Sequence, residues 1–158
     1  MILLTLELHA ALRVNADRSA VIDHDPVPVV KFFNPLGGAA QGSSDAQHRW
    51  NGCGGAATWL ATELYDDGDT LFGLADLGFG CPELGCFSLS ELASVRLPFG
   101  LGIERDLAFA TTSRLSVWAD TARRAGSILW AETLLRRAAR EGGDGSELPP
   151  PLDDEGGG

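Results

Sequence analysis

Lysine is almost absent from this chain: Lys31 stands alone beside eleven arginines. Cysteine is scarce too. Cys53, Cys81 and Cys86 are an odd number, which does not suit a disulfide framework, so reduced thiols in a cytoplasm are expected. No apolar run approaches the roughly 18 residues of a membrane span. The first residues, MILLTLELHAALR, lack a basic flank, and Glu7 and His9 interrupt their apolar letters; they read as structure and not as a signal peptide. The marks of common chemistries are missing as well. There is no G-x-S-x-G nucleophile turn, no lysine follows the glycine-rich stretch as a phosphate loop requires, and neither His48/Cys53 nor Cys81/Cys86 has zinc-finger spacing. His9, His24 and His48 are scattered without a local partner. The sequence therefore assigns no catalytic residue, no metal ligand and no cofactor, and the reading leans away from an enzyme.

What is present describes one domain. The 158 residues are 44% apolar and 22% charged, ordinary values for a globular chain. The net charge is −10, but Glu141, Asp144, Glu147, Asp153, Asp154 and Glu155 lie in a terminal EGGDGSELPPPLDDEGGG; without that segment the charge is −4. Residues 141–158, rich in Gly, Pro and acid, read as a disordered tail, and residues 1–140 as a single domain. Within the body the middle is acidic: residues 54–109 hold nine acids against Arg96 and Arg105. The last ordered segment is basic, with Arg114, Arg123, Arg124, Arg136, Arg137 and Arg140 against Asp120 and Glu132.

Periodicity places the elements. Leu4, Leu8, Ala11 and Leu12 form a helical stripe that Thr5 can cap. Val29 to Phe33 is a strand after the proline-flanked DHDPVP, closed by Asn34-Pro35. Thr58 to Tyr65 and Thr70 to Asp76 form a hairpin across Asp66-Asp67-Gly68-Asp69. Glu83 to Phe87 is a short strand, and Ser88 with Glu91 is a capping box opening a helix that stops near Arg96. Ile103 to Ala110 reads as the last strand. Two helices follow: Leu115, Trp118, Ala119 and Ala122 recur before Gly126, and Ile128, Ala131, Leu134, Leu135 and Ala138 share one side from Ser127 to Arg140. Trp118 and Trp130 are both assigned to packing. The sum is an α+β fold, a small antiparallel sheet of four to five strands packed with N-terminal, central and C-terminal helices.

Acids are the candidate functional residues. Glu63 and Asp76 lie in the facing hairpin strands, Glu83 follows the glycine break, and Glu104-Arg105-Asp106 opens the last strand. Strand interiors disfavour Asp and Glu. Two explanations are open: a solvated sheet face on which Arg105 pairs with one of the acids, or a carboxylate site for a hard metal or acid catalysis, which needs two or three of them to converge. The first is favoured. The arginine-rich helices offer nucleic-acid binding as a further alternative, disfavoured because no aromatic platform interleaves with them.

The residues TWLATEL, DTLFGLADLGFGCPELGCFSLSEL and LGIERDLAF resemble an uncharacterised domain-of-unknown-function family of small bacterial proteins found on plasmids and integrative conjugative elements. The resemblance extends weakly through DHDPVPVVKFFNP and LSVWADTARRAGSI and covers most of residues 3–140. It implies a cytoplasmic α+β domain in a mobile-element context with no established activity. The family's recurrent polar residues map to Glu63, Asp76, Glu83, Glu104, Arg105 and Asp106; a histidine frequent in relatives is Ala108 here. In relatives the NP-x-G segment runs almost directly into A-T-W. Here Gly37-Gly38-Ala39-Ala40 recurs as Gly54-Gly55-Ala56-Ala57, so deleting residues 41–57 restores NPLGGAATWLATEL. Residues 41–57 are thus expected to be an insertion, with 41–53 exposed and dispensable. The resulting expectation is a non-catalytic accessory protein of a mobile element that binds another protein, without membrane association.

Overall fold

Side-chain alternation on the strands decides the layering of this domain. The structure, a computed structural model, describes residues 1–37 and 57–143. The chain runs α1 (Leu6–Ser19), β1 (Val30–Phe33), β2 (Thr58–Leu64), β3 (Thr70–Asp76), β4 (Glu83–Ser88), α2 (Leu89–Ser94), a 3-10 turn (Pro98–Gly100), β5 (Glu104–Arg105), α3 (Leu115–Ala125) and α4 (Ile128–Gly143). All pairings are antiparallel, in the order β4-β3-β2-β1-β5.

Val30 and Phe32 of β1, Trp59 and Ala61 of β2, and Leu71 of β3 pack with Leu12 of α1 and Leu92 of α2. Leu60, one step along β2, and Leu74, three steps from Leu71 on β3, pack instead with Leu115, Trp118, Ala119 and Ala122 of α3 and with Ile128 and Ala131 of α4. The sheet is therefore covered on both faces, which explains why every residue of β2 is buried. Its period of two sends alternate residues to different helices. Lys31, between Val30 and Phe32, belongs by that alternation to the α3–α4 side.

One irregularity breaks the alternation. The register shifts between Ala61 and Glu63, so that Glu63 pairs with Phe72 and Leu64 with Leu71. Such a bulge re-aims side chains. Here the consecutive residues Glu63 and Leu64 both serve the α1 side: Leu64 joins its core cluster and the Glu63 carboxylate reaches Ser19. Gly73 sits opposite Ala61, and a Cβ there would come within 1.8 Å of the Leu60 carbonyl oxygen. Only glycine permits that approach.

Helix starts draw on the residues just before them and on oxygens from elsewhere in the chain. Thr5 Oγ1 accepts from Leu8 N (3.3 Å), as its sequence position predicts. For α2, Ser88 Oγ accepts from Glu91 N (3.2 Å), while Asp69 Oδ1 accepts from Ser90 N (2.7 Å). Asp25 Oδ1 accepts from Ser116 N in the first turn of α3 (3.0 Å). Asp76 Oδ2 accepts from Ile128 N at the start of α4 (2.9 Å). A carboxylate at a helix N-terminus satisfies an orphan amide and meets the positive end of the helix dipole. Acids in loops and strand ends thus act as caps for distant helices.

Three sequence expectations need correction. The last strand shrinks from Ile103–Ala110 to Glu104–Arg105, because Asp106 turns the chain: its Oδ1 accepts from Ala108 N (2.9 Å) and its carbonyl from Phe109 N (3.4 Å). α4 continues to Gly143, past the expected boundary at residue 140. On α4, Ile128 and Ala131 are buried, but Leu134 and Trp130 are 43% and 65% exposed and Ala138 is exposed; the helix presents only a narrow stripe to the sheet. The expected insertion at 41–57 lies outside the described residues apart from Ala57, which packs in the α1-side core and whose carbonyl accepts from Asn34 N (3.0 Å). The tail from residue 144 also lies outside them. Among the described residues no helix is long and apolar enough to cross a membrane.

Candidate functional site

The six polar residues picked out by sequence do not share a cleft. Nor do they spread along a wet face, since Glu63 and Asp76 are both buried. Asp76, 1% exposed, accepts from Gly78 N through Oδ1 (2.9 Å) and from Ile128 N through Oδ2. Both of its oxygens thereby hold backbone, one in the turn after β3 and one at the start of α4. Asp76 pairs with Thr58 and Glu63 with Phe72, so the two acids sit at opposite ends of the hairpin. Glu83 is exposed at the start of the edge strand β4, beside Arg123 in an open groove. Glu104 is half-buried in β5. Arg105 does not pair with an acid: its Nη1 donates to the carbonyls of Ile2 (3.1 Å) and Leu3 (3.0 Å), tying the N-terminal segment to the sheet edge.

Asp106 belongs to a buried charge cluster on the α3–α4 side. The Nζ of Lys31 donates to Asp106 Oδ2 at 3.0 Å and to Glu132 Oε2 at 2.6 Å, and Arg136 donates to Glu132 Oε1. The side chains of Lys31 and Glu132 are 8% and 10% exposed. Burial alone would raise the Asp106 carboxyl, but hydrogen bonds from Lys31 and the Ala108 amide, with the charges of Lys31 and Arg136, hold it below its usual range. Beside the cluster lies a cavity of about 260 Å³ lined by Thr111, Ser113, Trp118, Glu132, Leu135 and Arg136. The indole Nε1 of Trp118 donates to Thr111 Oγ1 (3.1 Å), and the Phe109 ring lies 6.0 Å from Trp118, centre to centre. Sequence reasoning missed Lys31 and Glu132; for Lys31 the signal available was a charged residue in the middle of an apolar strand.

The other buried acid behaves differently. Glu63 is 8% exposed, and its Oε1 accepts from Ser19 Oγ at 2.7 Å. Ser19 Oγ also lies 3.4 Å from His24 Nδ1, so His24 does have a partner, five residues away and brought round by the turn after α1. Because the serine proton points to the carboxylate, the hydroxyl oxygen is left to accept from the imidazole. Glu63 lines a cleft of about 350 Å³ together with Arg13, Asp17, Ser19, Tyr65 and Asp66. Arg13 does not neutralise Glu63: its Nη1 donates to the Leu64 carbonyl (2.9 Å) and its Nη2 to Asp17 (3.0 Å). At the same cleft the phenol of Tyr65 is pushed up to about 12, first by its hydrogen bond with Cys86, then by burial and by the negative potential of Cys86 and Glu63. Among the described residues Cys86 and Cys81 are free and exposed, and no group of three His, Cys, Asp or Glu is placed to hold a metal ion.

The C-terminal arginines are dispersed. Arg136 is bound to Glu132, and Arg123 lies 3.8 Å from Asp120 in an exposed pair. Trp130, expected in the core, is exposed on α4 instead.

The fold and its sites define a small α+β domain, an antiparallel sheet clasped between one N-terminal helix and a C-terminal helix pair, with its buried acids used mainly as caps and ion-pair partners. The chain belongs to the family described as "Protein of unknown function (DUF2958)", which matches residues 3–45 and 49–129. No curated protein and no solved structure matches the chain.

Proposed function

We propose that this protein is a non-catalytic accessory protein of a bacterial mobile element and acts by binding another protein. The observation that carries the reading is the separation of the acids: Asp76 caps a helix, Asp106 is paired with Lys31, and Glu63 lies across the sheet from both. A hard-metal or acid–base site needs carboxylates that converge on one point with oxygens to spare, and these do not converge. The mobile-element setting rests on the sequence resemblance. Affinity capture tests the reading, with the full chain as bait in a lysate of a bacterium carrying the element. A protein retained in stoichiometric amount is the expected result. No retained protein, together with a melting temperature raised by Mg²⁺, Mn²⁺ or Ca²⁺ and a rise abolished by Asp76→Asn, would replace it with the metal-site alternative.

A further inference from the structure

Glu63 is a buried carboxylate with half of its hydrogen-bonding capacity in use. Among the described residues only Oε1 receives a hydrogen bond, from Ser19, and no cation reaches the group. An ionised carboxylate accepts at both oxygens. Among the described residues no side-chain oxygen is both fully buried and without a partner, so the free Glu63 oxygen opens to the cleft, where a counter-charge can reach it. The other buried acids of the domain are not left in this condition: both oxygens of Asp76 and both of Glu132 have partners. Both Glu63 and Glu132 line an opening, but of the two only Glu63 has, among the described residues, a carboxylate oxygen without a hydrogen-bond partner.

The lining fixes the charge of the missing partner. Glu63, Asp17 and Asp66 bring three negative charges against Arg13, which is turned toward Asp17 and the Leu64 carbonyl. The ring of Tyr65 borders the same space, 37% exposed, and an aromatic face attracts a cation that comes to rest against it. A cleft of about 350 Å³ is far larger than a bare ion requires and has room for the end of a long side chain. We propose that this cleft is the recognition site for the partner protein and takes the guanidinium or ammonium head of a basic side chain, which pairs with the Glu63 carboxylate against the Tyr65 ring. The inference rests on the protein-binding reading above and names the chemistry of the partner's contact.

The probe is a short peptide, acetyl-Gly-Arg-Gly-amide, titrated into the ¹⁵N-labelled full chain at low salt. Its citrulline counterpart has nearly the same shape without the charge, and spermidine tests a small polyamine as the source of the cation. Saturable shifts of the Ser19, Glu63 and Tyr65 amides are expected with the arginine peptide and not with the citrulline peptide. Glu63→Gln should weaken the binding about tenfold or more, the effect of one charge-assisted hydrogen bond. The exposed variant Asp66→Asn should weaken it a few-fold and serves as the second test should Glu63→Gln fail to fold. Shifts that are absent, equal for citrulline, or unchanged in both variants overturn the proposal; tighter binding of spermidine than of the peptide overturns the protein source of the cation. Its failure is distinguishable from that of the binding reading: a partner captured equally by wild type and by Glu63→Gln removes the cleft and keeps the reading, whereas no captured partner removes both.

Discussion

Glu132 and Glu63 are each 8% exposed, on opposite sides of one sheet, and they are treated in opposite ways. Glu132 is held by Lys31 on one oxygen and Arg136 on the other. Glu63 has a serine on one oxygen and a cleft in front of it. The difference teaches that burial of an acid is not by itself a functional sign. A fully paired carboxylate ties elements together, here β1, α4 and the turn after β5, whereas a half-paired one at a cleft is open to a partner from outside.

The largest effect is expected from Lys31→Ala. It leaves Asp106 and Glu132 facing one another without their shared cation, and removing one member of a buried charge set costs about 3–5 kcal/mol. Urea unfolding should show it as a large fall in midpoint; a loss below about 1 kcal/mol would make the cluster ornamental. Asp76→Ala comes next. It strips two backbone amides of their acceptor, and about 1–3 kcal/mol is expected by the same measurement.

Acid should act on the paired side of the sheet. The folded Asp106 carboxyl is held below its ordinary value, so as pH falls the unfolded chain, near about 3.9 for an aspartate, takes up its proton first. Stability from this group is complete above that value and is lost as pH drops through the folded one. The carboxyls of exposed Asp67 and half-buried Asp69 are lowered as well, Asp67 first by its hydrogen bond from Thr70 and Asp69 first by that from Ser88, and add in the same direction. Melting temperature measured from pH 6 downward should fall below about pH 4, less steeply in Asp106→Asn.

Glu63→Gln should have the smallest effect on stability, within about 1 kcal/mol, because the amide oxygen still accepts from Ser19 and a buried charge is removed. Glu132→Gln in the same assay should cost several-fold more. Equal losses would erase the distinction between the two sites.

Much of the fold was legible from local pattern. Thr5 and Ser88 cap where their positions indicate, Asp66–Asp69 turns the hairpin, and Gly126 ends α3 with φ 86°. The pattern failed where long-range pairing decides. The strand expected to Ala110 stops at Arg105 because the Asp106 side chain bonds the Ala108 amide in place of extending the ladder. Trp130 looked like core, yet it lies away from the stripe of α4 that meets the sheet. Arg105, expected to pair with an acid, binds carbonyls about a hundred residues away in sequence. His24 seemed isolated because its partner Ser19 is a neighbour only after α1 ends and the chain turns.

The sequence by itself determined the α+β class, the hairpin and the helix starts, because caps, turns and periodicity are properties of neighbouring residues. It also marked the acids as needing a reason. Only the tertiary structure decided what each acid does, since a carboxylate's role depends on whether an amide, a lysine or an open cleft is brought to it from 44, 52 or 101 residues away. That pairing is set by how α1, α3 and α4 fold onto the two faces of one sheet, and no local signal records it.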